Sequence, residues 1–134
     1  LQSELKQCNI HMKKILLLIF GLTLLIACNS KTDCGDLTGS YDTFIEARKA
    51  ITKANYPIKK IQSTPESSWI KRIEFYSCNE KEGYLIIYTT RAEEYIHAHV
   101  PIAVWDEFSS SKSKGSYYNS NLVNRFPFNL KPTP

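Results

Sequence analysis

Residues 94–101, EYIHAHVP, contain the side chains in this chain best suited to do chemistry. Tyr95, His97 and His99 occupy alternate positions. In a β-strand, alternate side chains point to the same face, so this spacing predicts the three rings on one face and Ile96, Ala98 and Val100 on the other. Two neighbouring imidazoles could bind a metal ion or exchange protons.

A zinc site needs at least one more protein ligand, and Glu93, Glu94 or Cys78 could supply it. No spacing in the sequence requires such a site, and no nucleophile or carboxylate pair forms a recognisable catalytic pattern. We therefore predict no metal, no cofactor and no catalytic residue, and interpret the chain as a protein that is not an enzyme. A metal-binding protein or an enzyme that uses His97 and His99 is kept as an alternative.

The beginning of the chain has the pattern of an export signal. Met12-Lys13-Lys14 precedes an apolar run at residues 15–27, which is too short to span a membrane comfortably. The run ends in Leu25-Ile26-Ala27-Cys28, which resembles the bacterial lipobox. We expect a lipoprotein signal at residues 12–27, lipidation of Cys28 and a lipid-anchored protein of the bacterial cell envelope. Residues 1–11 are interpreted as an upstream extension, with Met12 as the start.

Cys34 and Cys78 are the remaining cysteines of the exported chain. An oxidising compartment favours a disulfide between them, which the entropy model values at about 4 kcal/mol for a loop of this length. The alternative is one tethered and one buried thiol. The CxxC spacing typical of zinc sites is absent from the sequence.

The charge balance bears on possible partners. From residue 28 onward, Lys+Arg falls from 17 to 14 and Asp+Glu from 13 to 12, which leaves a net charge of +2. Nucleic-acid binding normally depends on a larger basic excess, so it is not expected unless Lys112, Lys114 and Arg125 cluster in a local patch.

The elements that position these residues begin after a predicted tether at residues 28–39. Within residues 40–66 we predict one helix followed by a linker. Ser40 or Thr43 caps the helix, and Thr43 with Glu46 fits a capping box. Phe44, Ala47, Ile51 and Ala54 recur at helical spacing until Pro57.

Three strands follow, at residues 69–76, 84–89 and 95–100. Pro101 then starts a short helix that places Ile102, Trp105 and Phe108 on one side. Gly115 is interpreted as a left-handed helix stop, residues 116–128 as a packed aromatic segment, and residues 129–134 as a tail.

These elements predict an α+β fold. Its centre is a three-stranded antiparallel meander, packed by the Pro101 helix and the aromatic C-terminal segment, with one additional N-terminal helix. The core candidates are Trp69, Ile73, Phe75, Leu85, Ile87, Trp105 and Phe108.

Residues 67–128 resemble the KTSC domain, a small module named for its place at the C-terminus of some lysyl-tRNA synthetases and also found alone in bacterial proteins. The resemblance rests on matching residues in the same order: Ser67-Ser68-Trp69-Ile70, Ile73, Phe75, Tyr95, His97, Val100-Pro101, Ser113, Gly115, Tyr117-Tyr118-Asn119 and Phe126-Pro127. His97 stands where the family usually has a tyrosine, and the turn at residues 90–93 lacks the family's common glycine. The resemblance implies no established function, although the synthetase context has suggested RNA binding.

We therefore expect a candidate binding surface that carries Tyr95, His97, His99, Ser113, Tyr117, Tyr118 and Asn119. Tyrosines with amide and imidazole neighbours provide rigid, amphipathic contact area. The predicted function is a non-catalytic envelope lipoprotein that binds a protein or cell-wall partner, with nucleic acid as the alternative. The same aromatic residues could instead hold the C-terminal segment on the sheet.

Overall fold

The computed structural model describes residues 32–37 and 39–131. They form an α+β fold around one antiparallel sheet whose four strands lie in the order β1-β2-β3-β4. The strands are β1 (Ile58–Ser63), β2 (Ile70–Ser77), β3 (Glu82–Thr89) and β4 (Glu94–Pro101), and the helices are α1 (Phe44–Lys53), α2 (Ile102–Ser110) and α3 (Lys114–Asn121). The lipidation site Cys28 and the predicted signal lie outside the described residues.

The first helix begins where the sequence predicts. The Thr43 hydroxyl accepts a hydrogen bond from the Glu46 amide at 3.2 Å. The Glu46 carboxylate accepts a hydrogen bond from the Asp42 amide at 3.1 Å. This is the second bond of a capping box, made to the residue before the cap rather than to Thr43 itself. Ala47 and Ile51 are buried, so the predicted apolar stripe is the face that packs on the sheet.

The sheet buries an apolar cluster on each side. The front cluster lies under α2 and α3 and consists of Ile70, Ile73, Phe75, Leu85, Ile87, Val100, Trp105, Phe108 and Leu122. It includes every predicted core residue except Trp69, which packs against it while partly exposed. The back cluster lies under α1 and consists of Tyr41, Ala47, Ile51, Tyr76, Ile86, Ile96 and Phe128.

Three segments that were predicted to be a linker, a tether and a tail are bonded to the rest of the domain. The interpretation of residues 58–63 as linker is wrong, because β1 pairs with β2 from Ile58 to Ser63. The tether is not free either, since Asn55 donates from its amide to the Thr32 carbonyl at 2.9 Å. The predicted tail is held at Lys131, whose amide donates to the Tyr41 carbonyl at 2.9 Å. Residues 132–134 lie outside the described part.

Gly115 does not end a helix. It lies inside α3, and a Cβ atom at this position would approach Nε1 of Trp69 to 2.6 Å. The predicted left-handed stop is therefore wrong, and the glycine is needed because the indole of Trp69 packs directly against the helix backbone.

Candidate binding surface

A β-bulge in β4 separates the two histidines that the sequence pattern places together. Leu85 pairs with His97 and Gly83 pairs with Val100, so two residues of β4 lie opposite one residue of β3. His99 is one of the two bulged residues and has a positive φ of 55°. After a bulge the alternation of faces shifts by one residue, so Val100 joins His97 on the front face. The prediction that His97 and His99 share a face is wrong, as is the grouping of Val100 with Ile96 and Ala98.

His97 is buried, with 7% of its surface exposed. Its Nδ1 lies 3.0 Å from the Phe126 carbonyl oxygen. Because a carbonyl can only accept a hydrogen bond, Nδ1 carries a proton and donates to Phe126. Burial lowers the pKa of His97, and the hydrogen bond to Phe126 offsets part of that change. The side chain thus holds the C-terminal segment against β4.

We expect His97 to make stability fall as the solution becomes acidic. Its pKa is depressed in the folded state, so below about pH 6.5 the unfolded chain binds a proton more readily than the folded protein does. The stabilising contribution is complete above that pH and is lost below it, with a slope of at most about 1.4 kcal/mol per pH unit. Urea unfolding at several pH values between 5 and 8 measures this slope.

The His97→Asn variant keeps an N–H donor for Phe126 but does not titrate, so its slope should be shallower than that of the wild type. His99→Asn is the matched control, because His99 is exposed and asparagine tolerates its left-handed backbone. Equal slopes in the wild type and His97→Asn would contradict the assignment.

Tyr118 is the centre of an aromatic group on the front face. Its ring centroid lies 5.2 Å from that of Trp69, 5.6 Å from that of His97 and 6.2 Å from that of Tyr95. Trp69 and Tyr118 are half-buried, while Tyr95 is 39% exposed. We call Trp69, Tyr95 and Tyr118 the aromatic patch; Trp69 was predicted only as a core residue.

The other tyrosine of α3 belongs to a different environment. Successive helical residues point about 100° apart, so Tyr117 turns toward α2 while Tyr118 faces β4. Tyr117 stacks on Phe108 with centroids 5.5 Å apart and donates its hydroxyl to Glu107 at 2.8 Å. Burial raises the pKa of Tyr117 to about 12, and the hydrogen bond to the Glu107 carboxylate is the second contribution to that rise.

The remaining residues of the predicted surface also lie in different environments. Ser113 caps α3, because its hydroxyl accepts from the Ser116 amide at 3.3 Å. Asn119 is exposed on α3, next to Tyr118. His99 lies elsewhere, with Nδ1 at 2.9 Å from a Glu82 carboxylate oxygen and 81% of its side chain exposed. The predicted surface is thus reduced to Tyr95, Tyr118 and Asn119, with His97 beneath them.

The predicted basic patch is not assembled around Lys114. This side chain is only 4% exposed, and its ammonium donates to the Ser111 carbonyl at 2.7 Å and pairs with Glu66 at 3.2 Å. Lys114 therefore ties the start of α3 to the segment between β1 and β2. Its charge is balanced within the fold.

Neither a metal cluster nor a spanning helix is present in the described part of the chain. Within residues 32–37 and 39–131, no three side chains of the His, Cys, Asp and Glu types lie close enough together to hold a metal ion. No helix in those ranges combines the length and apolarity needed to cross a membrane.

The fold and the patch together define a small α+β domain with an antiparallel sheet covered by helices and an aromatic front surface. The family model for the KTSC domain matches residues 66–126. This agrees with the predicted range of 67–128. The match begins after β1, so the strand that the sequence analysis did not predict lies outside the matched residues.

One solved structure to which part of this chain is similar is the crystal structure of the KTSC domain protein YPO2434 from Yersinia pestis. It is 23% identical, covers 52% of this chain and 93% of its own, and superposes with a TM-score of 0.45. No curated protein matches the chain significantly.

Proposed function

We propose that this protein is a lipid-anchored, non-catalytic protein of the bacterial cell envelope whose KTSC domain binds a protein or cell-wall partner through the aromatic patch. The basic residues at 13 and 14, the short apolar run and the lipobox-like end at Cys28 support export and anchoring. The disulfide between Cys34 and Cys78 is consistent with an oxidising compartment.

The observation that carries the binding proposal is the partial exposure of a packed aromatic group. Tyr95 presents 39% of its surface to solvent while its ring contacts Tyr118, which is held by Trp69 and His97. Aromatic side chains held rigidly give contact area at a low cost in conformational entropy, and they are enriched in interfaces. The exposed amide of Asn119 adds a donor and an acceptor at the rim.

The anchor would keep the domain close to the membrane. Thr32 is already hydrogen-bonded to the domain, so only residues 29–31 separate it from Cys28. Four fully extended residue steps span at most about 14 Å. The proposed partner is accordingly one that reaches the membrane surface.

RNA binding has weaker support. Its distinguishing feature would be a free basic cluster at Lys112, Lys114 and Arg125, and Lys114 is buried and paired with Glu66. An active site built on both histidines is disfavoured by geometry, since the bulge places His97 in the front core and His99 in solvent.

Lipid anchoring predicts that replacing Cys28 removes the anchor. Cys28→Ser should lose incorporation of labelled palmitate and move from the membrane fraction to the soluble fraction, because two or more acyl chains are needed for stable attachment. Cys78→Ser, which removes a cysteine of the exported chain outside the lipobox-like sequence, should be labelled as the wild type is. Equal labelling of the Cys28→Ser protein would contradict the proposal.

Partner binding is tested by a photoreactive residue at Asn119 in intact cells. We expect crosslinks from this position and none from Lys49, which is exposed on α1 across the sheet. The crosslinked species should disappear when Tyr95 is changed to Ala. Equal crosslinking from both positions, or none from Asn119, would contradict the assignment of the front surface.

A further inference from the structure

The first turn of α1 exposes two large apolar side chains. Phe44 is 50% exposed and Ile45 is 61% exposed. They are two of the four large apolar side chains that the described residues leave exposed, and they are the two that are adjacent in the chain. The Phe44 ring is held in place by Phe128, whose ring centroid lies 6.0 Å away. Single exposed apolar residues are common on protein surfaces, whereas contiguous ones mark contact sites.

The side of α1 that points away from the sheet continues from this pair as a basic surface. Ala47 and Ile51 are buried in the back cluster. Because successive helical residues are about 100° apart, positions 45, 49 and 53 form one row on the opposite side of the helix. Ile45 is therefore followed along this row by Lys49 and Lys53, which are both exposed. We call Ile45, Lys49 and Lys53 the outer row of α1.

The charges of the two lysines are not balanced within the described part of the chain. Neither Lys49 nor Lys53 forms an ion pair there. Glu46, the acidic side chain of α1, accepts a hydrogen bond from the Asp42 amide at the start of the helix, and Asp42 pairs with Lys131 at 3.4 Å. Apolar residues beside basic residues are typical of helices that lie on anionic membrane surfaces.

The proposed anchor brings α1 within reach of a bilayer. The amide of Asn55, two residues after the end of α1, is bonded to the Thr32 carbonyl at 2.9 Å. Thr32 lies at most about 14 Å from Cys28, because only four residue steps join them. The helix has ten residues and is therefore about 15 Å long. An anchor attached this close to one end of α1 lets the whole helix lie flat on the membrane.

The other surface beside the attachment point has the wrong charge for an anionic bilayer. The disulfide joins residues 32–37 to the start of the β2–β3 turn. This end of the domain exposes Asp33, Asp36 and Glu80, with Lys81 as the basic residue of the turn. Anionic lipids repel such a surface and attract the lysines of the outer row. Charge complementarity therefore favours α1 as the side that meets the membrane.

We propose that the outer row of α1, together with Phe44, forms a second contact with the membrane on a bilayer surface that contains anionic lipids. Phe44 and Ile45 enter the headgroup region, and Lys49 and Lys53 bind lipid phosphates. The inference rests on the proposed lipidation of Cys28, since so small a contact needs the anchor to hold the domain at a high local concentration. Because α1 covers the back of the sheet, the aromatic patch on the front then faces away from the membrane.

Spin-label accessibility in reconstituted vesicles tests this contact. A nitroxide-bearing amino acid replaces Ile45, or Asn119 on the front surface as the control, so that no cysteine is modified. The lipidated protein is purified from membranes and reconstituted into vesicles of phosphatidylcholine and phosphatidylglycerol. We expect the label at position 45 to be severalfold less accessible to a water-soluble nickel chelate than the label at position 119. It should also be more accessible to oxygen, which concentrates in the bilayer.

Reversing the charges of the outer row identifies the lipid that it binds. Lys49→Glu with Lys53→Glu should raise the nickel accessibility of position 45 to that of position 119, and vesicles of phosphatidylcholine alone should have the same effect. Lys112→Glu with Arg125→Glu is the matched control, because it makes the same change in net charge outside α1 and should leave position 45 shielded. All four side chains are exposed, so both double variants should fold as the wild type does.

Equal nickel accessibility at positions 45 and 119 in the anionic vesicles would overturn the proposal. Shielding of position 45 that survives both the lysine reversal and the neutral lipid would overturn the role of anionic lipids. Palmitate labelling of Cys28 is read separately. If Cys28 is lipidated while position 45 is accessible to nickel, only this contact fails and the proposed anchor and front surface stand. If Cys28 is not lipidated, the anchoring proposal fails and this contact fails with it.

Discussion

Replacing both Cys34 and Cys78 by serine is expected to lower the free energy of unfolding by about 4 kcal/mol. The disulfide joins residues 44 positions apart, with Cα atoms 6.0 Å from each other. It therefore closes a loop that contains α1, β1 and all of β2. Without the bond, the unfolded chain regains the freedom of that loop, while the folded chain loses the covalent attachment of residues 32–37.

Urea unfolding of the oxidised wild type, the reduced wild type and the double-serine variant measures this contribution. The reduced wild type should match the double variant, and a reductant should leave the double variant unchanged, which controls for effects of serine itself. The N-terminal segment should also become more sensitive to protease, since its remaining attachments are non-covalent: the backbone contacts with Asn55 and the packing of Leu37 on the back cluster. Equal stability of the oxidised and reduced wild type would contradict a structural role for the bond.

The spacing of apolar residues predicts the front cluster of this domain, because apolar side chains at regular strand and helix spacing form it. Ile73 and Phe75 alternate on β2 and point toward α2, where Trp105 and Phe108 are three residues apart. Phe75 and Trp105 stack with centroids 5.5 Å apart. Such spacings are visible in the sequence, and the predicted strands and the Pro101 helix were correct to within two residues.

The strand β1 was not predictable from the same pattern, because two of its three inward positions, Lys60 and Gln62, are polar. Lys60 reaches Asp106 of α2 at 2.9 Å, and Gln62 donates to the Ser109 carbonyl at 3.1 Å. Long polar side chains can cover an apolar core with their aliphatic stems, and lysines are common on edge strands. A segment with the sequence IKKIQS therefore resembles a linker while it forms a strand.

Local backbone conformation accounts for the other differences. A positive φ at a residue other than glycine is not indicated by the sequence pattern. Both His99 and Ala92 have a positive φ, of 55° and 63°. Ala92 lies in the turn between β3 and β4, where the sequence has no glycine that would indicate a left-handed residue. At His99 the same conformation forms the bulge and divides the predicted histidine pair. The chemistry of residues 94–101 thus depended on one backbone angle that periodicity does not report.

The final expected result separates contact from packing at Tyr95 and His97. His97→Ala should cost on the order of 2 to 4 kcal/mol of stability, because it opens a cavity beneath Tyr118 and leaves the Phe126 carbonyl without its donor. Tyr95→Ala should cost much less, since the ring is partly solvated and its hydroxyl binds the exposed Glu93 at 3.1 Å. Denaturant unfolding of both variants at pH 8 avoids the titration of His97.

In partner binding the order of the effects should be reversed: a change at Tyr95 should matter more than a change at His97. Tyr95→Ala, still folded, should lose the crosslink from Asn119, whereas His97→Asn retains both the hydrogen-bond donor and the aromatic patch and should keep it. If Tyr95→Ala unfolded the domain, the aromatic residues would serve only to hold the C-terminal segment, and the front surface would not be a contact surface. A crosslink that persists in a folded Tyr95→Ala protein would place the partner elsewhere on the domain, because Tyr95 has the largest exposed fraction of the three residues in the patch.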